Sequence, residues 1–360
     1  MSRHQPRIVL LWLLVLSLLA TVAGLNVGSG GMDLLAGQWL QAGADPAETA
    51  MLQQILLDIR LPRTLGAWVA GALLGLAGAV AQGLFRNPLA DPFLLGSASG
   101  ASLGVALALV GIGGNLALAG PTALPGGVMV SMFSGSLWVR LGLTGAAFAG
   151  AALAVLLTLV LSRGVQHTLR LLLSGVIVGV VLGALTQLVL QFSPESLQSM
   201  QAFMLGSSAF VGWTACGLML AIWLPCLVLA SLLGRGLDGL SLGEATAQSL
   251  GVSLVWLRLA LVAVLALATG TAVAQTGLIA FVGLAAPHLV RSAVATTHRW
   301  LMLLASLVGG LLLTAADTLA RGLIAPQELP VGVLTAVLGG GYLLWLMHRR
   351  RRTLAAGSGQ

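Results

Sequence analysis

The most prominent feature of the chain is a series of apolar runs separated by short segments that hold most of the charges. Ten such runs lie at about residues 8–27, 63–84, 93–113, 137–162, 169–191, 213–233, 255–275, 276–295, 301–320 and 329–347. Most are close to the roughly 20 residues that an α-helix needs to cross the hydrocarbon core of a bilayer. A β-barrel would instead show segments of about ten residues with alternating hydrophobicity. The pattern predicts an all-α polytopic membrane protein with about ten transmembrane helices.

The composition supports this class of protein. Of the 360 residues, 58% are hydrophobic and only 8% are charged, and the mean hydropathy is +1.01. A water-soluble domain normally carries about a quarter of its residues as charged side chains. The formal net charge of +7 would suggest a nucleic-acid partner for a soluble protein. Here we expect the charge to orient the chain in membrane lipid, and we predict no nucleic-acid partner.

The distribution of basic residues predicts the orientation of the chain. Arginine supplies all seventeen basic residues. If the first segment is cytoplasmic, thirteen of them lie on the inner side, namely Arg3, Arg7, Arg86, Arg163, Arg170, Arg235, Arg258, Arg291, Arg299 and residues 349–352. Cytoplasmic loops carry an excess of positive charge, so we expect both termini to be cytoplasmic. A single transmembrane domain is predicted at 1–348, followed by a basic tail at 349–360.

Arg60 and Arg63 are exceptions to this charge distribution. They precede the second apolar run and face the outer side on the predicted topology, together with Arg140 and Arg321. An arginine costs roughly 2.5–3.5 kcal/mol at the centre of a membrane helix, so both are expected at an interface. Positive charges on the outer side therefore require a functional explanation.

Two predicted outer segments do not cross the membrane. The first, residues 28–59, contains a predicted helix at 48–57 that would lie along the interface. In the second, residues 193–212, Ser193 is followed by Pro and then Glu. A capping residue, a proline at the first helical position and an acid in the first turn mark a helix start, so a short outer helix is expected to begin there.

A third short helix is predicted on the inner side, at about 241–251. Ser241 and Glu244 have the spacing of a capping box, and Gly251 is a natural C-terminal stop. Two interpretations of this helix remain open. It is either a surface connection between two spans or a coupling helix that seats in a groove of a cytoplasmic ATPase.

A short internal repeat suggests that the chain has two related halves. Residues 79–82 and 272–275 both read Ala-Val-Ala-Gln, and they lie at similar depths in the second and seventh runs. Because these runs cross in opposite directions, spans 2–5 and 7–10 would be related by inversion in the membrane plane. Inverted repeats are common in transporters, although four matching residues in an Ala/Val-rich chain can also arise by chance.

Motifs for catalysis are missing from the sequence. No glycine-rich loop ends in Gly-Lys-Ser/Thr, and no His-Glu-x-x-His pair occurs. Carboxylates are scarce within the runs, and Asp317 is the closest candidate, whereas ion-coupled carriers usually place ionisable residues at midplane. We therefore predict no catalytic residue, no metal site and no intrinsic cofactor, and we expect another subunit to supply the energy for transport. An ion-coupled secondary transporter is the main alternative, and a membrane-embedded enzyme is a more distant one.

Eight motifs occur along the chain between residues 60 and 347. They are Arg60-Leu-Pro-Arg63-Thr64, Gln82-Gly-Leu-Phe-Arg-Asn-Pro-Leu-Ala-Asp-Pro92, Leu242-Gly-Glu-Ala245, Ser249-Leu-Gly-Val252, Phe281-Val-Gly-Leu284, Ala286-Pro-His-Leu-Val-Arg291, Ala316-Asp-Thr-Leu-Ala-Arg321 and Glu328-Leu-Pro-Val-Gly332. In this order they resemble the FecCD-type permeases of ABC importers for iron-siderophores, haem and cobalamin. The segment 111–137, which is rich in Gly and Pro, departs from the commonest pattern of that family.

The resemblance implies a transporter in the bacterial inner membrane that works by alternating access. Its expected partners are a second copy of this chain, forming a homodimer with the path at the interface, two copies of a cytoplasmic ATPase that bind ATP and Mg, and a periplasmic substrate-binding protein. The transported chelate is a ferric siderophore, haem or cobalamin, and the sequence leaves this choice open.

The resemblance also implies roles for three sets of residues. The binding protein is expected to dock on Arg60, Arg63 and Arg321; the ATPase is expected to contact Leu242, Gly243, Glu244, Ala245, Leu250 and Gly251; and a cytoplasmic gate is expected at Asn87, Pro88, Leu89, Gln166, His167 and Thr168. From the docking role we expect reversal of Arg60 and Arg63 to Glu to weaken docking without unfolding the permease.

Overall fold

Long α-helices make up nearly all of the chain that the computed structural model describes, which is residues 5–28, 31–32, 46–118, 137–165 and 168–357. In chain order they are α1 (Pro6–Asn26), α2 (Pro46–Gln54), α3 (Leu61–Phe85), α4 (Ser97–Leu118), α5 (Leu137–Leu161), α6 (Thr168–Gln191), α7 (Leu197–Leu205), α8 (Trp213–Ser241), α9 (Glu244–Ser249), α10 (Leu254–Thr276), α11 (Val282–Ala293), α12 (His298–Gly322) and α13 (Val331–Gly357). Two-residue strands, β1 (Val27–Gly28) and β2 (Gly31–Met32), pair antiparallel.

The helices confirm a polytopic all-α membrane protein. Among the residues described, seven helices are long and apolar enough to cross a membrane, and they coincide with the first, second, fourth to seventh and ninth predicted spans. The third and tenth predicted spans contain shorter apolar helical stretches, Ser97–Gly111 and Val331–Tyr342. Most of the segment 111–137, at residues 119–136, lies outside the described residues.

The eighth predicted span, at 276–295, is not a continuous transmembrane helix. Helix α11 has only 12 residues, which is about 18 Å at 1.5 Å per residue. It follows a non-helical stretch that begins at Gly277 and ends at Phe281, both with positive φ. The backbone of this stretch is satisfied by neighbouring structure, since the Leu278 amide donates to the Phe203 carbonyl at 3.1 Å. Such a break within a membrane protein is tolerated where it packs against protein.

The predicted interfacial helix at 48–57 is also different in the structure. It is not separate from the second span, because the chain is helical from α2 through a π-helical stretch, Ile55–Arg60, into α3. Arg60 and Arg63 therefore lie within one long helix and not at its beginning. The indole of Trp213 donates to the Leu57 carbonyl at 2.9 Å, which ties this long helix to the start of α8.

Helix α9 lies where the short inner helix was predicted, but its start is different. Its N-cap residue is Gly243, with a φ of 114°, and it makes no side-chain cap. The hydroxyl of Ser241 donates instead to the Asp238 carbonyl at 2.6 Å, so the predicted capping box is wrong. The C-terminal stop is as predicted, since Gly251 has a φ of 83°. A short 3-10 turn, Pro194–Ser196, followed by α7 also matches the outer helix predicted after Ser193.

Helix α3 forms the centre of the bundle, and nearly all of its side chains are buried. It packs against α8, α10, α11 and α12. The approach is close because small residues face each other. A Cβ atom placed on Gly71 would lie 2.3 Å from the Gly309 carbonyl oxygen, and one on Gly78 would lie 1.7 Å from the Gly283 carbonyl oxygen. Small residues in membrane helices allow such backbone contact.

The helix contacts follow a matched pattern in the two halves of the chain. In the first half, α3 packs against α11 and α12 of the second half. In the second half, α10 packs against α4 and α5 of the first half. The pairs α4–α5 and α11–α12 also correspond, and α3 contacts α10 between the halves. This correspondence supports the predicted organisation into halves formed by spans 2–5 and 7–10.

Candidate functional site at the two ends of one helix

The motif residues gather at opposite ends of α3, which we name the Arg63 end and the Glu244 end. Arg63 lies in the first turn of α3, whereas Arg86 follows its last residue and lies 3.6 Å from Glu244. The 25 residues of α3 separate the two ends by about 37 Å at 1.5 Å per residue. This length matches the thickness of a bilayer with part of its headgroup regions.

Four charged side chains form a buried network at the Arg63 end, which we name the Arg63 cluster: Arg63, Asp317, Arg321 and Glu328. Arg63 makes a bidentate contact with Glu328, from Nη1 to Oε1 at 3.0 Å and from Nη2 to Oε2 at 2.9 Å. Its Nη2 also donates to Asp317 Oδ1 at 3.1 Å. Asp317 Oδ2 lies 2.8 Å from Nη2 of Arg321, one helical turn away. Fork-shaped Arg–carboxylate contacts of this kind fix geometry as well as charge.

The network also holds the end of α1. Nη1 of Arg321 donates to the carbonyl oxygens of Gly24 at 2.9 Å and Val27 at 2.8 Å. Nη1 of Arg60 donates to the Leu25 carbonyl at 3.0 Å. The last carbonyls of a helix have no partner within that helix and carry its negative dipole charge. Two arginines therefore cap α1 from neighbouring helices.

Burial changes the interpretation of the predicted docking residues. The side chain of Arg321 is 1% exposed and that of Arg63 is 12% exposed, so they do not form an open arginine surface as expected. Glu328, at 27%, is the most exposed member of the Arg63 cluster, and Arg60 is half-buried beside it. The docking role of Arg60, Arg63 and Arg321 stays a prediction. Sequence reasoning missed Glu328 and Ser208, whose hydroxyl donates to Asp317.

At the Glu244 end, α9 presents apolar side chains on an open surface. Leu242 and Leu250 flank the helix and are 68% and 65% exposed. Ala245 is exposed as well, whereas Ala247 faces the core. Exposed apolar residues outside the spans mark contact surfaces when they are contiguous. The coupling role of this segment, with Gly243 and Gly251 at its two ends, stays a prediction.

The first predicted gate segment is a tight turn at the same end. Arg86 adopts a left-handed conformation with a φ of 49°, which ends α3. Asn87 then accepts a hydrogen bond from the Leu89 amide on its side-chain oxygen at 2.9 Å, an Asx-turn. Pro88 and Leu89 are exposed. In the second segment, Thr168 begins α6, and Gln166 and His167 lie outside the described residues.

Polar contacts close to this end connect the helices that carry the other motifs. Gln82, which is 2% exposed, accepts from Arg291 Nη1 at 2.5 Å and donates to the Leu284 carbonyl at 3.2 Å. Asp238 at the end of α8 accepts from the amide of His298 at 3.0 Å and contacts its Nδ1 at 2.7 Å. These contacts join α3 to α11 and α8 to α12.

The turn that leads from α3 to α4 is stabilised by a buried carboxylate. Asp91 accepts from the Phe93 amide at 2.8 Å and so caps the 3-10 turn Pro92–Leu95. Burial raises the pKa of Asp91, and the hydrogen bond from the Phe93 amide opposes that shift. Within the described ranges, no three His, Cys, Asp or Glu side chains come together as metal ligands.

Comparison with known proteins identifies relatives along the whole chain. A family model, the FecCD transport family, matches residues 9–349. The hemin transport system permease protein HmuU of Yersinia pestis is 37% identical over 352 residues, which are 97% of this chain and 98% of the relative. The vitamin B12 import system permease protein BtuC of Salmonella typhimurium is 37% identical over 353 residues, which are 98% and 99% of the two chains.

Solved structures share this architecture. One, described as a metal-chelate type ABC transporter in an inward-facing conformation, has a TM-score of 0.76 and 28% identity, and the match covers 96% of this chain and 99% of that chain. Another, PsaBC from Streptococcus pneumoniae in complex with Fab, has a TM-score of 0.52 at 16% identity and shows a common fold alone. With the family model, the full-length relatives and the structural match in agreement, this chain belongs to the FecCD transport family.

Proposed function

We propose that this chain is the membrane permease subunit of an ATP-driven importer that carries a metal chelate across the bacterial inner membrane by alternating access. The observation that carries the proposal is the full-length match to permeases of hemin and vitamin B12 systems. These named cargoes are planar macrocycles that hold a metal, and ferric siderophores are metal chelates of similar bulk. The substrate class is therefore a ferric siderophore, haem or cobalamin.

The chain supplies the path, and a separate cytoplasmic ATPase supplies the energy by binding ATP and Mg. Two copies of the chain form a homodimer that encloses the path, and two ATPase copies bind at the Glu244 end. The exposed leucines beside α9, Leu242 and Leu250, support a protein contact there. On this proposal both termini are cytoplasmic, and the chain is not itself an enzyme.

A periplasmic binding protein delivers the substrate at the Arg63 end. Arg60 and Glu328 are the partly exposed charged residues beside the Arg63 cluster, so a docked protein meets both a positive and a negative charge. Arg63 and Arg321 act from below this surface, because they set the positions of Glu328 and of the end of α1. Docking through exposed charges is screened by salt.

Closure at the Glu244 end involves the turn at Asn87, Pro88 and Leu89 together with the segment 166–168. The turn is exposed and directly follows α3, so a movement of α3 displaces it. Alternating access requires that such segments take two positions. The ATPase contact on α9 lies beside this turn through the pair of Glu244 and Arg86.

Uptake into proteoliposomes tests the proposed function. The full transporter, with its ATPase and ATP on the cytoplasmic side, is offered haem, cyanocobalamin and a ferric hydroxamate chelate in the presence of the binding protein. We expect ATP-dependent accumulation of one of these probes, and an ATPase variant that cannot hydrolyse ATP abolishes it. A transporter that hydrolyses ATP but accumulates none of the three chelates would contradict the proposed substrate class.

A further inference from the structure

A single buried arginine connects the surface helix α9 to the chain that enters the second gate segment. Arg258, in the second turn of α10, is 2% exposed. Its Nη2 donates to Oε1 of Glu244 at 2.6 Å, and its Nη1 donates to the carbonyl oxygen of Val165 at 3.2 Å. Glu244 is the first residue of α9, and Val165 directly precedes residues 166–168. One guanidinium thus contacts both elements.

The same carboxylate oxygen also reaches the first gate segment. Oε1 of Glu244 lies 3.6 Å from Nη2 of Arg86, the residue that ends α3 and begins the turn at 87–89. The two contacts differ in character. The pair with Arg258 is short and its arginine is buried, whereas Arg86 and Glu244 are 43% and 41% exposed. Glu244 therefore forms a common junction between α9 and both predicted gate segments.

The chemistry of arginine suits such a junction. A guanidinium has several N–H donors in a rigid planar fork, so it binds two acceptors at once and fixes the distance between them. A buried guanidinium that loses an acceptor is left without compensation for the water it gave up. If α9 moves with a bound partner, Arg258 is expected to follow Glu244 and to displace Val165 with it.

We propose that Arg258 is a positioning residue that transmits movement of α9, through Glu244, to the segments 165–168 and 86–89 that close this end of the path. The proposal rests on the proposed function, since it requires an ATPase bound at α9. It goes beyond that function because it assigns the linkage to one side chain. The competing interpretation is a static brace, in which the same contacts hold α9 in place but transmit nothing.

Separate measurement of ATP hydrolysis and uptake distinguishes these interpretations. In the reconstituted full transporter we expect Arg258→Gln to keep ATP hydrolysis but to lower the amount of chelate imported per ATP by at least about fivefold, a typical size for coupling between sites. Arg258→Lys keeps the charge but not the fork, so it should recover part of this loss. Arg235→Gln, which removes an exposed arginine at the same end of the bundle, is the matched control and should leave the ratio unchanged.

Two further measurements test the linkage itself. Glu244→Gln should uncouple in the same direction, and the double variant should be no worse than the single ones, because both remove one shared interaction. A cysteine introduced by Thr168→Cys reports on the gate, since the native Cys216 and Cys226 are buried. Its labelling by an impermeant maleimide should respond to ATP in the wild-type background and lose that response with Arg258→Gln.

The outcomes separate the inference from the proposed function. A parallel loss of hydrolysis and uptake in Arg258→Gln, with an unchanged ratio and an intact ATP response at position 168, would establish a static brace and overturn the inference alone. A wild-type transporter without ATP-dependent uptake would overturn the proposed function and this inference with it.

Discussion

Arg321 closes the end of the first helix, because its Nη1 lies 2.9 Å from the carbonyl oxygen of Gly24 although 297 residues separate them in the sequence. The same guanidinium pairs with Asp317 at 2.8 Å. The lipid-facing helix α1, most of whose side chains are exposed, is thereby attached to the core of the bundle. A residue expected on the docking surface thus has a structural task at this end.

We predict that Arg321→Gln loosens the attachment of α1 and destabilises the fold. Removal of one partner from a buried ion pair costs about 3–5 kcal/mol, and we expect about 3 kcal/mol because Arg63 stays beside Asp317. The free energy of unfolding in detergent micelles and amide exchange at the last turn of α1 measure the two effects. Arg170→Gln, which changes an exposed arginine, should leave both unchanged. Equal exchange at α1 in both variants would contradict the capping role.

The docking role is tested most cleanly at Arg60. We predict that Arg60→Glu weakens binding of the periplasmic binding protein about fivefold at low ionic strength, since an exposed ion pair contributes up to ~1 kcal/mol. The difference from wild type should shrink at high ionic strength as screening increases. Titration of the binding protein against the reconstituted permease at two salt concentrations measures this, and an unchanged affinity at both would remove Arg60 from the docking surface.

The double reversal of Arg60 and Arg63 suggested by the sequence is a poor test of docking. Arg63→Glu would place a third carboxylate next to Asp317 and Glu328, which Arg63 now neutralises. We therefore expect the Arg63→Glu protein to lose stability, in contrast to the expectation from sequence that it stays folded. The unfolding free energy of the single Arg63→Glu variant checks this point, and a wild-type value would contradict the electrostatic role of Arg63.

The exposed leucines beside α9 should contribute to ATPase binding. We predict that Leu250→Ser lowers the affinity for the ATPase by about 1–2 kcal/mol, or tenfold, as truncation of an interface anchor does. The stability of the permease should not change, because the side chain is 65% exposed. Titration of the ATPase against the permease measures the affinity. Gln248→Ala, an exposed change on the same helix, is the control, and equal affinities for the two variants would argue against the contact.

Close packing of α3 makes a further prediction about stability. The added methyl group in Gly78→Ala would lie 1.7 Å from the Gly283 carbonyl oxygen, so the backbone of α3 or α11 has to move. Overpacking of this kind costs about 1–3 kcal/mol. Gly145→Ala adds the same methyl group to α5 where nothing lies within 4 Å, and it should be neutral or slightly stabilising. Thermal unfolding of both variants in detergent gives the comparison, and equal midpoints would contradict the packing argument.

The sequence predicts the spans well where a long apolar run is also a regular helix, and α1, α8 and α12 are examples. It fails at the stretch from Gly277 to Phe281, because this stretch is apolar on average and hydropathy does not register a change in backbone conformation. The continuous helix through Arg60 was missed for the opposite reason. Residues 46–60 are too polar on average to read as part of a span.

The charged contacts show a similar limit. The pair Asp317–Arg321 has an i, i+4 spacing and is readable from sequence. Arg63 and Glu328 are 265 residues apart, so only the fold reveals their contact. The predicted capping box of Ser241 and Glu244 failed because the carboxylate of Glu244 binds the buried Arg258 instead. A charged partner from another helix outcompetes the local backbone contact that the motif suggests.

The central claim, that ATP hydrolysis in a partner drives transport through this chain, is tested most directly by the energy dependence of uptake. The permease is reconstituted with or without its ATPase, and chelate accumulation is measured with internal ATP or with an imposed proton or sodium gradient. We predict accumulation only with both ATPase and ATP, and no effect of collapsing the ion gradients. Accumulation driven by an ion gradient in vesicles that lack the ATPase would contradict the account and establish a secondary transporter.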